Sequence, residues 1–196
     1  YNVTINRNPT NGGSVSAVSN WYDAGESLQS DATANPGWQF KSWSGSGQGS
    51  YSGDNSSALT TVESPLTETA TFYPGLTITA SNKLSVSYSY GANAGEIPAG
   101  TPKTIYAPSG TDIKLTAKPK MFIYSFAGWT GSVTDKKSNT STVLDTPQNV
   151  TANFSYDYLN IGLIAAGALL VIAAIIATIV LFARKKRNHR SISSTE

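Results

Sequence analysis

The chain has no cysteine and only one histidine, His189. The first absence removes disulfides, thiolate metal sites and cysteine nucleophiles together. The second leaves residues 1–157 without the general base of a Ser–His–acid set. His189 itself stands among basic residues, where a solvated or headgroup-facing role is expected. Charge is scarce as well: 13% of residues are Asp, Glu, Lys or Arg, and a net charge of +2 gives no pull toward nucleic acid. That sum hides an asymmetry. Arg184, Lys185, Lys186, Arg187 and Arg190 crowd the last thirteen positions, whereas the residues before 158 carry nine Lys/Arg against eleven Asp/Glu.

Motifs that carry chemistry are missing too. Asp23, Glu26 and Asp31 are close in sequence, yet on a loop or strand they need not converge, and no EF-hand spacing occurs. "SGSGQGSYSGDNSS" at 44–57 has the glycines of a phosphate loop, but no helix follows and no Lys-Ser/Thr closes it. It reads as a flexible hairpin loop. No catalytic residue, cofactor or metal is expected. What the chain has instead is hydroxyl and amide: about a quarter of its residues are Ser or Thr and fourteen are Asn, a composition that leans toward an external surface. Tyr1 opens directly into "YNVTI", with no initiator methionine or signal-peptide pattern. The expectation is a removed signal peptide or, preferred, a longer protein of which this is the C-terminal piece.

One long hydrophobic run is present. Ile161 to Ala183 gives twenty-three residues without charge, Thr178 being the one clearly polar side chain. As a helix it covers roughly 34 Å, enough for a hydrocarbon core of about 30 Å. A buried core helix would need more protein around it than this chain offers. The basic run "RKKRNHR" behind it sets a type I orientation in the cell membrane, N-terminus outside and C-terminus cytoplasmic, with Tyr156 and Tyr158 at the outer interface. No LPxTG-type sequence precedes the span, so it is expected to be retained. Gly162/Ala166 and Ala173/Ala177 are small-residue pairs suited to helix pairing, though the oligomeric state stays open. Only "SYDYLN" separates Phe154 from the span, which leaves little tether.

Everything before residue 158 reads as strands. Val3 and Ile5, then Leu84, Val86, Tyr88 and Tyr90, then Ile113, Leu115 and Ala117 alternate with polar residues, the mark of half-buried strands. "AGESLQSDATA" is the one stretch that suggests a helical turn. "NGG" at 11–13 is a hairpin-turn signal, because Asn and Gly tolerate positive φ. The phrase "FKSWSG" (40–45) returns as "FAGWTG" (126–131), and "ETATF" (68–72) returns within "NVTANF" (149–154). A module repeats because each copy needs its own core. Phe40, Trp43, Phe126 and Trp129 are therefore the expected core anchors, each burying a large apolar area. Phe and Trp three apart in a regular strand face opposite ways, so a bulge between them is expected.

Together, "NPTNGG…YDAGE…ATANPGWQFKSWSG…TETATF" resembles the divergent internalin-type B-repeat (InlB B-repeat) of microbial surface proteins, in two copies. The second copy departs from the pattern: "SYGANAGEIPAGTPKTIYAP" replaces the glycine turn, and Glu68 stands in the first copy where Val150 stands in the second. The resemblance implies small β-rich modules of β-grasp-like form, surface display, spacing or adhesion, and no catalysis. The expected fold is mainly β: modules at 1–75 and 76–156, one transmembrane α-helix at 159–183, and a basic cytoplasmic tail at 184–196.

Three functions compete on this reading. The first is a non-enzymatic display stalk or adhesion module on a bacterial or archaeal envelope. The second is the C-terminal anchor of a larger secreted hydrolase. The third is a module that binds a surface glycan or an envelope protein. Trp21, Trp38, Trp43, Trp129 and Tyr51 could form a sugar-stacking platform, but the repeat register claims Trp43 and Trp129 for the core and leaves Trp21 and Trp38 as the candidate pair. Sequons at Asn2, Asn55, Asn139, Asn149 and Asn153 are candidate glycosylation sites, given a host that glycosylates. The expected partner without qualification is the lipid bilayer.

Overall fold

The structure, a computed structural model, describes residues 1–192, with side chains described as far as Arg184. Fourteen strands precede one helix. In chain order they are β1 (Asn2–Asn8), β2 (Gly13–Val15), β3 (Asn20–Trp21), β4 (Ser27–Ala34), β5 (Trp38–Ser46), β6 (Ser57–Thr61) and β7 (Leu66–Ala80). Then come β8 (Leu84–Tyr90), β9 (Asn93–Ile97), β10 (Pro102–Tyr106), β11 (Thr111–Pro119), β12 (Tyr124–Gly131), β13 (Asn139–Leu144), β14 (Gln148–Tyr156) and the helix α1 (Tyr158–Ile192). The chain is mainly β, and its contacts divide it into two compact units. One holds Tyr1–Lys120 with Phe126–Phe154; the other holds Met121–Ser125 with the chain from Ser155 onward.

The β unit is organised around one strand. β7 runs for fifteen residues, and along its first half it pairs in parallel with β1 (Val3 opposite Leu66 through Asn8 opposite Thr71) and antiparallel with β5. Along its second half it pairs antiparallel with β10 and in parallel with β14. The exchange falls at Pro74 and Gly75: Trp38 opposite Pro74 ends the β5 ladder, and Tyr106 opposite Gly75 begins the β10 ladder. A proline, which has no N–H for a ladder, is tolerated where one set of partners gives way to the next. The first half of β7 thus closes one module, and its second half opens the next in the role that β1 plays for the first.

Each half carries its own core between two sheets. In the first, the β2-β4-β6 sheet packs on β5 and β7 through Ala32, Ala58, Trp38, Trp43, Ala70 and Phe72, with Val3, Val62 and Leu66 in a satellite cluster. In the second, the β13-β11-β8-β9 sheet packs on β12, β14, β7 and β10; Ile113, Leu115, Trp129, Ile78 and Val150 lie at its centre. No residue before Leu76 belongs to the second cluster, and none after Phe72 belongs to the first two.

Two local expectations differ from what forms. "AGESLQSDATA" yields no helical turn, because Ser30 and Ala32 are buried between exposed Gln29, Asp31 and Thr33, a strand period that pairs β4 with β6. The "NGG" glycines do not take positive φ. They are required instead because Phe72 lies against them: a Cβ on Gly12 would meet Phe72 Cβ at 2.6 Å, and one on Gly13 would meet the same ring at 2.5 Å. In the second copy, the segment replacing the glycine turn forms the β8–β9 hairpin, turning at Gly91 with φ +52.

Candidate functional site

The repeated phrase builds the same small constellation twice. Trp43 is 2% exposed and Trp129 1%. Each ring tilts against the phenylalanine three residues before it, Phe40 at 6.2 Å and 55° and Phe126 at 5.4 Å and 56°. The two phenylalanines are half-buried. Both indole N–H groups find backbone acceptors, Ser56 O at 3.1 Å and Lys137 O at 3.0 Å, as a buried indole requires. Their backbone amides do likewise, to Gly53 O at 2.7 Å and Asp135 O at 2.8 Å. What lets Phe and Trp face the same core is an irregular step: the register shifts between Phe40 and Ser42, leaving Lys41 extra, and Gly128 with φ +142 stands between Phe126 and Trp129.

The two other tryptophans do not share an exposed face. Trp38 is 9% exposed and packs with Phe72 in the first core, because it shares β5 with Trp43 on the inward side. Trp21, on the two-residue edge strand β3, is 76% exposed. Tyr51 is half-buried against the first core. Of the candidate platform, Trp21 alone offers a free ring.

The 44–57 segment is tied down at several points. Gly45 N–H donates to Ser52 Oγ at 2.9 Å, Ser50 N–H to Gly47 O at 3.3 Å, and Tyr51 N–H to Glu68 Oε1 at 2.6 Å. Glu68 is the one enclosed carboxylate of the first module, at 0% exposure opposite Ile5 on β1 and Gly45 on β5. Thr60 Oγ1 donates to the same Oε1 at 3.2 Å, while Oε2 has no partner. Burial pushes this carboxyl above the usual range, and the Tyr51 amide and Thr60 hydroxyl oppose the shift. The partners are unreadable in sequence because Tyr51 and Thr60 reach Glu68 only after the loop has folded over.

The other carboxylates stay apart. Asp23 and Glu26 share a local turn, Asp23 N–H donating to Glu26 Oε2 at 3.0 Å, whereas Asp31 accepts from Ser57 Oγ at 2.6 Å. Among the described residues no cluster of three or more metal-ligating side chains forms. Asn2, Asn55, Asn139 and Asn149 are exposed. Asn153 differs: its Nδ2 donates to Thr130 Oγ1 at 3.0 Å and to Gly128 O at 3.3 Å, so the nitrogen that would carry a glycan is already engaged.

In the second unit, Tyr158–Arg184 is long and apolar enough to cross a membrane, and its leucines, valines and isoleucines other than the half-buried Ile161 stand exposed. Thr178 Oγ1 returns its hydrogen bond to its own helix, at Ala174 O (2.9 Å) and Ile175 O (2.7 Å), so its hydroxyl is satisfied within the helix. Asp157 caps the helix, accepting from Asn160 N–H at 3.1 Å. Arg184 is exposed; the side chains of Lys185, Lys186, Arg187 and Arg190 lie outside the described residues.

The model of the divergent InlB B-repeat domain matches residues 1–75 and again 85–158. No curated protein matches the chain. Among solved structures, the major pilin protein (T-13) from Streptococcus pyogenes serotype GAS131465 is similar at 13% identity and a TM-score of 0.32, over 67% of this chain and 66% of the pilin. The major pilin protein (T3.2) from serotype GAS13637 is similar at 9% identity and a TM-score of 0.27, over 67% of this chain and 68% of that one. The chain thus spans about two thirds of these pilins.

Proposed function

The chain belongs to the divergent InlB B-repeat family, and from that premise we propose that it is a non-catalytic, membrane-anchored surface stalk. Residues 1–75 and 76–156 act as two repeat modules outside the cell, 159–183 crosses the bilayer, and 184–196 stays in the cytoplasm. The observation that carries the stalk reading is β7. Module boundaries normally fall in flexible linkers where few contacts cross, but here one continuous strand is hydrogen-bonded into both modules, with no loop between them. Such a joint transmits position and suits a spacer. The anchor reading is supported by the uninterrupted apolar span and by five basic residues behind it, which favour the cytoplasmic side.

The test is topology. With a C-terminal epitope tag, the chain is exported to the surface of intact cells and treated with protease. Loss of the β modules with survival of a tagged helix fragment is expected. Digestion of the tag in intact cells, or survival of the modules until the cells are opened, overturns the reading. A second reading, adhesion through ring stacking on a glycan, rests on Trp21. Trp21→Ala would abolish retention on a glycan surface if it holds and leave retention unchanged if it does not.

A further inference from the structure

The residues that join α1 to the rest of its own unit make an unusual turn. Met121–Tyr124 is closed by Tyr124 N–H donating to Met121 O at 3.1 Å. Turns favour Gly, Pro, Asn, Asp and Ser, and this one reads Met-Phe-Ile-Tyr, with Met121 53% and Phe122 63% exposed. Apolar side chains at the tip of a turn gain nothing in water.

The carbonyls of its first three residues are all paired within the protein. Met121 O is used within the turn; Phe122 O accepts from Asn160 Nδ2 at 2.8 Å; Ile123 O accepts from Asp157 N–H at 2.8 Å. Three consecutive carbonyls of a non-helical segment are therefore satisfied, two of them by the residues that begin α1. Asp157 also accepts from Ser125 Oγ at 3.3 Å and from Asn160 Nδ2 at 3.0 Å, and Tyr124 packs on Tyr156 at 5.7 Å between ring centroids. Irregular backbone enters the apolar part of a bilayer only when its polar groups are satisfied. Next to it starts the apolar segment, at Tyr158, with 27 residues as far as Arg184. That length is roughly 40 Å of helix against a hydrocarbon core of about 30 Å, so the first turn of α1 falls in the interfacial layer.

We propose that the Met121–Tyr124 turn is a second membrane contact, seated in the headgroup–acyl boundary of the outer leaflet beside the first turn of α1, with Met121 and Phe122 inserted. The occupant of this apolar surface is lipid, and no protein partner is required. The inference rests on α1 spanning the bilayer, and the experiment separates the two.

The chain lacks cysteine, so single labels are clean. Phe122→Cys, Met121→Cys, Leu170→Cys and Asp54→Cys each carry an environment-sensitive fluorophore on the full chain in phosphatidylcholine–phosphatidylglycerol vesicles. Quenchers are aqueous iodide and lipids spin-labelled either near the headgroup or deep in the acyl chain. Expected are deep-lipid quenching at 170, shallow-lipid quenching with several-fold protection from iodide at 121 and 122, and iodide quenching at 54. If 170 is quenched by deep lipid while 121 and 122 are quenched by iodide as strongly as 54, the turn stands in water and the proposal is overturned while the span survives. If 170 is itself quenched by iodide, the membrane reading fails and takes the proposal with it.

Discussion

Glu68 shows what a single misplaced charge does to a small core. Its carboxyl is held above the usual range mainly by burial, so the unfolded chain ionises it near the ordinary value of 4.5 and the folded chain only at higher pH. Between those points the folded state holds the extra proton, and stability falls as pH rises through that window, then levels once both states are ionised. Glu68→Gln keeps an acceptor for the Tyr51 amide and removes the titration. It is expected to be more stable than the parent at neutral pH, by on the order of 1 kcal/mol. In denaturant titrations the difference should grow as pH rises above 4.5 and then level off; the same pH dependence in the two chains would clear Glu68 of any part in the pH response. Trp43 and Trp129 make the opposite case. Replacing either with Ala in the full chain should cost roughly 3–5 kcal/mol, by lost transfer energy plus the cavity left. Trp21→Ala, on an exposed edge, should stay within about 0.5 kcal/mol, and a comparable loss there would contradict its placement.

Among the elements, the strands that alternate were readable from their patterns: Ile113, Leu115 and Ala117 are buried with more exposed residues between them, and Leu84 and Val86 are buried at the start of β8, whose later tyrosines are only half-buried. The bulge at Phe40–Trp43 was readable too, from a spacing that no regular strand could accommodate. β7 was not. Pro74-Gly75 in its middle looks like a turn, and the strand's continuity comes from partners as distant as Val3 and Gln148, which no local window contains. The same limit hid the reason for Gly12 and Gly13, since Phe72 is far away in sequence. Gly75 belongs to this class. A Cβ there would lie 2.8 Å from Tyr106 Cε1 and 2.9 Å from Gly37 O, so Gly75→Ala must push one module's strand from the other. A loss of roughly 1–3 kcal/mol is expected in denaturant unfolding; a neutral result would mean that the joint has slack.

At the scale of the β unit, two cores that share no residue are fastened by one strand, and stiffness at that joint decides whether the pair acts as one body. A linker of flexible residues would let the modules wander, since each added residue widens the range of separations. Hydrogen bonds on both sides of Pro74 leave no such freedom: Gly75 N–H donates to Gly37 O at 2.9 Å, and Ala107 N–H donates to Pro74 O at 3.4 Å. Spin labels at Thr33→Cys on β4 and Lys114→Cys on β11, both exposed positions, should give one narrow distance distribution in the full chain. Inserting Gly-Ser-Gly between Pro74 and Gly75 should broaden it while both cores stay folded, because neither cluster contains Pro74 or Gly75. A broad distribution in the parent would remove the argument for a spacer, because a hinge at the shared strand cannot hold one module at a fixed distance from the other.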